Sequence, residues 1–299
     1  MLGIGHWHAL WHVTALRKMN ATIVGVWDHD LGRAQDLGRE IGCPAYPRVE
    51  DVLSGRVAPD LALVTPRPVE APAVMRTVLD VGVPAFAEKP LGLRADDVRS
   101  LAELADQRGS YVSVFFVNRL SPLWDVLRDP DPDDPVVGAH FRICNGPISR
   151  YVATGVPWML DPEQAGGGCL RNLGIHAADA VAQLAGDQPV KVRCASLSHA
   201  ERHLAVETYG VASLSFGSSS FATIEAGYNH PHQGGSDYEW RVSTRQKYVL
   251  DRDDRLLIGD AGGESFVPSS TSAERYDAYV RIGLERLWAD REGMTKWGR

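Results

Sequence analysis

The sequence contains no apolar run approaching the roughly 18 residues that a membrane helix needs. It also lacks a basic N-terminal stretch followed by an apolar segment and a small-residue cleavage site, so neither a membrane span nor a secretion signal is read from it. Cysteine is scarce: Cys43, Cys144, Cys169 and Cys194 are widely spaced and form no CxxC pair. A disulfide framework or a thiolate metal knuckle is therefore not expected, and a reducing cytoplasm is the default compartment. Each thiol is expected to be a plain buried one. A basic surplus is missing too, with 31 Lys and Arg against 38 Asp and Glu. Nucleic acid, which usually demands a basic face, is not an expected partner. There is no internal repeat and no low-complexity tract.

What is present is an ordinary globular composition, 44% apolar and 23% charged over 299 residues. At roughly 150 residues per domain this length predicts two domains. Over residues 1–118, short apolar runs at 1–5, 21–27, 61–65, 84–87 and 111–117 alternate with helical patterns at 9–18, 31–41, 72–81 and 95–108. Short Val/Ile/Phe-rich runs separated by helices are what a parallel sheet covered on both faces requires, so the pattern predicts a doubly wound α/β domain.

The stretch RDPDPDDP at 128–135 is a polar, proline-punctuated loop, and beyond it the pattern changes. Strands are expected at 136–143, 191–198, 206–216, 219–228, 238–243 and 247–250, several alternating apolar and polar residues as a sheet with one wet face does. One helix, at about 174–184, interrupts them. Residues 119–299 therefore read as an α+β domain with a largely antiparallel open sheet. Met1 already lies inside the first strand and the chain stops just after a helical stretch at 273–291, so truncation at both ends is expected.

The first strand leads into Gly3-Ile-Gly5-His6-Trp7-His8 and then a helix. In a dinucleotide-binding turn the first glycine makes the bend and the second lets backbone approach the pyrophosphate at the helix N-terminus, roles that Gly3 and Gly5 fit. His8 stands where a third glycine usually allows close helix–strand packing, and is expected to loosen that packing. Asp28 ends the second strand, about twenty residues beyond the glycines, where a carboxylate bonds ribose hydroxyls and repels a 2′-phosphate. NAD is thus expected in preference to NADP. The alternative for Asp28, capping of the helix beginning near Leu31, is better served by Asp30. The His6/His8/His12 series could also be read as metal ligands after a first strand. No further ligands follow at later parallel strand ends, and no metal is expected.

The fourth strand runs into Glu88-Lys89-Pro90, at the carboxyl end of a parallel strand where open α/β sheets place ligands. Residues 166–179, GGGCLRNLGIHAAD, open the later helix with glycines that allow close backbone approach, and they set Asn172 and His176 on one helical face. Together with the GxG turn, Asp28, Thr65-Pro66 and Asn118-Arg119, these motifs resemble the glucose-fructose oxidoreductase/inositol dehydrogenase/rhizopine-catabolism (Gfo/Idh/MocA) family over nearly the whole chain.

That resemblance implies a Rossmann domain followed by an α+β domain whose open sheet makes oligomer contacts, as a homodimer or homotetramer. It implies a hydride transfer between nicotinamide and a hydroxyl or keto carbon of a sugar, cyclitol or related polyol. Lys89 then corresponds to the lysine on the substrate hydroxyl, and His176 to the histidine that acts as general acid/base or orients that hydroxyl. Gly3, Gly5, His6, Trp7, Asp28, Thr65, Pro66, Glu88, Lys89 and Asn118 correspond to the cofactor side and Arg119, Trp158 and Asn172 to the substrate side, with Asn172 also grouped with Lys89 and His176 as catalytic. The chemistry favours such groups, because an alcohol that loses hydride must also lose its proton, and an ammonium stabilises developing alkoxide charge.

The family commonly has aspartate where this chain has Asn172, which cannot accept a proton. Asp179 keeps the family's register, with a structural role on the helix surface as the alternative. Two other functions therefore stand beside the dehydrogenase: a glycosidase working by transient oxidation and elimination, and a non-catalytic nucleotide- or sugar-binding homologue.

Overall fold

A computed structural model describes residues 1–289 except 129, 130 and 132, which leaves part of the expected 128–135 loop and the end of the 273–291 stretch outside the described residues. The first half contains a parallel three-stranded sheet of β1 (Ala62–Val64), β2 (Ala85–Ala87) and β3 (Val112–Val114), all pairs parallel. Three single parallel bridges extend it: Leu2 with Val64, Leu2 with Trp27, and Val26 with Ala45. Across the sheet the extended segments lie in the order 45, 26–27, 2, β1, β2, β3, the order of a classical dinucleotide-binding sheet.

The expected strands at 1–5 and 21–27 thus shrink to one or two paired residues each. Gly3 adopts a left-handed backbone (φ 76°) and ends the extended run after Leu2. The segment at Ala45 carries no strand pattern in the sequence and joins through Val26–Pro44 and Tyr46–Val26 backbone bonds. Helices Ala9–Lys18, Leu31–Ile41, Ala71–Val81 and Ala95–Arg108 cover the sheet, and Asp30, not Asp28, caps the second of them by accepting from the Arg33 amide. A short helix at Val49–Leu53 was not expected.

The second half is one eight-stranded sheet of β4 (Gly138–Asn145), β5 (Val190–Ser198), β6 (Tyr209–Phe216), β7 (Ser220–Gly227), β8 (Ser236–Ser243), β9 (Lys247–Asp251), β10 (Arg255–Asp260) and β11 (Gly263–Pro268), in the order β11-β10-β9-β8-β4-β7-β6-β5. Every pair is antiparallel except β4 with β7. The sequence reading missed β10 and β11, whose register is set by a tight reversal at Asp260–Gly263. All nine residues of β5 are exposed, Cys194 among them, and Cys43 is only half-buried. The expectation of four buried thiols therefore holds for Cys144 and Cys169 alone: Cys194 lies on the end strand β5, whose two faces are both uncovered, and Cys43 lies just past the end of the helix Leu31–Ile41. The four cysteines are free.

The helix Gly174–Ala185 packs on this sheet through Ala177, Ala180 and Val181. The last helix, Ser272–Ala289, goes elsewhere: Tyr276, Val280 and Leu284 enter the apolar cluster of the first half with Ile4, Val13, Leu16 and Phe115. No helix among the described residues is long and apolar enough to cross a membrane.

Candidate active site

The site lies where the two halves meet, and the glycine turn is its floor. Thr65 Oγ1 donates to the Gly3 carbonyl, and a Cβ built on Gly3 would sit 2.4 Å from Pro66 backbone. Thr65 and Pro66 therefore buttress the turn. The Asp28 carboxylate accepts from the amides of Ile4 (2.7 Å) and Gly5 (2.8 Å), and its other oxygen accepts from Asp30 (2.9 Å). A carboxylate offers about four lone-pair positions, so one is left for a ribose hydroxyl. The backbone N–H groups of His6 and Trp7 make no hydrogen bond among the described residues. They precede the helix Ala9–Lys18, so the turn offers amides and a helix N-terminus to a pyrophosphate. These residues fit a dinucleotide.

His8 does not loosen the turn as the sequence predicts. Its ring is buried, and Nδ1 lies 2.9 Å from Glu88 Oε1 and 2.8 Å from the Tyr276 hydroxyl. His12 Nε2 lies 2.8 Å from the same Glu88 oxygen. Where a glycine would bring helix against strand by having no side chain, His8 joins them by bonding to the end of β2. Burial alone would raise the Glu88 carboxyl, but His8, His12 and His6 hold it well below the usual range. Burial pulls His8 down to about 4 and His6 well below the ordinary imidazole value. His6, His8 and Glu88 come within 4.8 Å of one another. Glu88 Oε1 is already shared by His8 and His12, and His6 Nδ1 accepts from the His8 amide at 3.2 Å, so these groups are engaged with one another and we assign no metal to them.

Lys89 follows on the same strand end and is 3% exposed. Its Nζ donates to the backbone carbonyl (2.9 Å) and to Oδ1 (3.2 Å) of Asn172, across the boundary between the halves. Burial pulls Lys89 down to about 8, opposed by the charge of Glu88. Asn172 in turn donates from Nδ2 to the Tyr151 hydroxyl at 3.3 Å.

The glycine run fixes where Asn172 stands. A Cβ on Gly168 would lie 1.9 Å from the Glu207 carbonyl, and the Glu207 carboxylate accepts from the Gly168 and Leu170 amides at 2.8 and 3.1 Å. This anchors the turn Cys169–Asn172, after which the next helix carries His176. Burial first, and the Lys89 charge second, keep His176 well below its ordinary value, so its ring is neutral. Its Nδ1 is buried without a hydrogen-bond partner among the described residues, as is Trp7 Nε1.

Trp7, Lys89, Asn118, Asn172 and His176 line one cavity of about 350 Å³ together with His8, Tyr238 and Tyr276. An open trough of about 760 Å³ adjoins it, sharing Ser236, Tyr238 and Asp253. Arg150 stacks over Trp7 at 5.0 Å. Trp158 borders a narrow crevice with His6, Lys89 and Asn172, and its indole N–H donates to the Gly5 carbonyl at 3.1 Å. The remaining sequence candidates lie outside this cavity. Arg119 makes a two-pronged ion pair with Asp179 (2.9 and 2.6 Å), and Arg171 donates to the Gly92 carbonyl.

Two participants carried no sequence signal. Tyr276 reaches His8 from the last helix. Arg275, wholly buried beside it, donates to Asn118 Oδ1 (3.2 Å) and the Tyr238 hydroxyl (3.0 Å). An arginine has no acceptor, so Asn118 must turn its oxygen to Arg275 and leave its NH₂ for the cavity.

Comparison with known proteins gives the family. Residues 1–116 match the family model described as "Oxidoreductase family, NAD-binding Rossmann fold", and residues 137–247 match "GFO/IDH/MocA C-terminal domain". The chain belongs to the GFO/IDH/MocA family. Among its relatives is a trans-1,2-dihydrobenzene-1,2-diol dehydrogenase of Mus musculus, 25% identical over 62% of this chain and 55% of that protein. The UDP-N-acetylglucosamine 3-dehydrogenase of Acidithiobacillus ferrooxidans is 25% identical over 66% of this chain and 57% of that protein. The chain thus spans just over half the length of these curated relatives. A crystal structure of an inositol dehydrogenase homologue complexed with NAD+, from Azotobacter vinelandii, has the same fold (TM-score 0.81, 17% identity, 97% of this chain and 88% of that one).

Proposed function

We propose that this GFO/IDH/MocA protein interconverts a hydroxyl and a keto carbon on a sugar, cyclitol or related polyol, using NAD in preference to NADP. The observation that carries the reading is the cavity beside the glycine turn, into which Lys89 and the unpartnered, neutral His176 both face. Its volume of about 350 Å³ is within the range of small-molecule sites. Bound at the turn, a nicotinamide dinucleotide supplies the hydride acceptor or donor. Everything else falls to the chain. Lys89 and His176 hold the reacting hydroxyl, Trp7 lines the cavity beside them and offers an indole to a sugar ring, and the Asp28 carboxylate disfavours a 2′-phosphate.

Exposed Val192, Leu197, Phe221 and Phe266 on the eight-stranded sheet support assembly into a homodimer or homotetramer, and the free cysteines are in keeping with a reducing cytoplasm.

The test is a fluorescence titration with NAD, NADH and NADP on the wild type and Asp28→Ala, followed by NADH absorbance on a polyol and keto-sugar panel. NAD binding that weakens in Asp28→Ala, with turnover of a panel member, is the expected result. No binding of any dinucleotide would remove the proposal.

A further inference from the structure

Lys89 is buried, and among the described residues no carboxylate is hydrogen-bonded to its amine. The nearest carboxylate, Glu88, belongs to the adjacent residue, but its Oε1 is held by His8 and His12 and its Oε2 accepts from the Lys89 backbone amide at 3.3 Å. From the opposite half the Lys89 amine meets only the two oxygens of Asn172, both uncharged. The other titratable groups lining the same crevice and cavity are His6, His8, His176, Arg150, Arg171, two tyrosines and Asp253. Asp253, the one anion among them, is turned to the last helix, where its Oδ1 accepts from the Ser272 amide (2.8 Å) and hydroxyl (3.1 Å).

The geometry at Nζ follows from its tetrahedral shape. One position is the bond to the side-chain stem. Two more are taken by N–H donation to the Asn172 carbonyl and Oδ1. A single position remains: a third N–H in the ammonium, a lone pair in the amine. Lys89, Asn172 and His176 line the same cavity, so that position is available to the substrate hydroxyl.

Resting on the dehydrogenase reading above, we infer that Asn172 is the positioning residue that makes Lys89 the proton acceptor of this site, by holding its amine with two neutral acceptors and withholding a counter-ion. In the oxidation direction the hydroxyl proton passes to the lone pair on Lys89 Nζ. An oxidised nicotinamide held at the glycine turn would take the carbon-bound hydrogen as hydride, leaving the C–O bond as a carbonyl. Lys89 ends as an ammonium, donating to the carbonyl oxygen, which is the arrangement the reverse reaction needs. His176, kept neutral by burial and by the neighbouring lysine, orients the hydroxyl and does not take the proton.

The titration of Lys89 can be read without any turnover. Only five lysines occur in the chain (Lys18, Lys89, Lys191, Lys247 and Lys296), so lysine labelled with ¹³C at Cε gives a short spectrum in which Lys89→Arg identifies the Lys89 signal. The expected midpoint in the wild type is about 8. In Asn172→Asp, which keeps the side-chain shape and adds the missing anion, it moves up by about 1–3 units. In Asn172→Ala it stays low, and circular dichroism establishes that each variant is folded. A wild-type midpoint near the ordinary lysine value, or no movement in Asn172→Asp, overturns the inference.

The proton-acceptor role is read from kcat/KM for alcohol oxidation against pH. Its basic rise is expected to follow the same midpoint and to move with it in Asn172→Asp. An inflection that stays put while the NMR midpoint moves gives the proton to another group. Absence of turnover on the whole panel removes the dehydrogenase reading and the acceptor role with it, while the titration still decides what Asn172 does to Lys89.

Discussion

Arg275 and Asp251 form an ion pair at 2.7 Å with both side chains fully buried. Around it, Arg275 also bonds Asn118, Tyr238, Ser269 and Ser270, and Asp251 accepts from Ser121. The pair fastens the last helix to β9 and to the junction that carries Asn118. Removing one member strands a charge in the interior, which typically costs about 3–5 kcal/mol. Asp251→Asn is expected to lower the unfolding free energy by that much in urea titrations. The double change Asp251→Leu, Arg275→Met should recover most of it, whereas equal losses in single and double variants would show that the charge pairing is not what matters.

The buried histidines make stability depend on acid. In the unfolded chain His8 titrates near about 6.5, but in the folded protein it stays neutral down to about 4. Between those values the unfolded state binds more protons, so stability is present above about pH 6.5 and is lost as pH falls towards 4. His6 and His176 shift the same way, and Glu88, held low, adds a loss at still lower pH. Each such histidine contributes a slope on the order of 1 kcal/mol per pH unit. Denaturant midpoints at pH 7, 6 and 5 check this, with a shallower slope expected for His8→Gln.

Lys89→Met removes a buried ammonium and leaves an apolar chain of similar length. The melting temperature should rise while turnover falls by about 10²–10⁴-fold, the size of a lost general acid–base group. A falling melting temperature with turnover intact would make Lys89 a structural residue.

His176→Gln keeps a polar side chain but changes the shape and donor position at the orphaned Nδ1. We expect dinucleotide affinity unchanged and turnover reduced about 10²-fold, the size of a lost positioning contact. Turnover within about twofold of the wild type would move the hydroxyl elsewhere in the cavity.

Gly168→Ala drives a methyl to 1.9 Å from the Glu207 carbonyl. Gly155→Ala meets nothing within 4 Å and suffers only its left-handed φ of 73°, a cost of roughly 1–2 kcal/mol. Thermal unfolding should rank Gly168→Ala well below Gly155→Ala, with loss of Lys89–Asn172 function appearing only in the former.

Much of this was legible because the informative patterns are local. Helices at 9–18, 31–41 and 95–108 follow their apolar spacing to the residue, and Lys89 and His176 announce themselves by the EKP and glycine-rich motifs. Lys89 and Asn172 are 83 residues apart, and their meeting depends on how the two halves face each other, which no spacing encodes. The role of His8 was misread for the same reason: its partners, Glu88 and Tyr276, are supplied by distant elements. Arg275 and Tyr276 sit in a helix whose pattern is ordinary, and only the identity of the surface it covers makes them part of the site.

That last helix has a consequence for synthesis. Tyr276, Val280 and Leu284 complete an apolar cluster begun by Met1, Ile4, Val13 and Leu16. A ribosome releases the early members long before the late ones, and contacts of such separation form slowly. The nucleotide-binding half must therefore wait with an open flank while the whole eight-stranded sheet is made. Chaperone dependence should be concentrated in that interval.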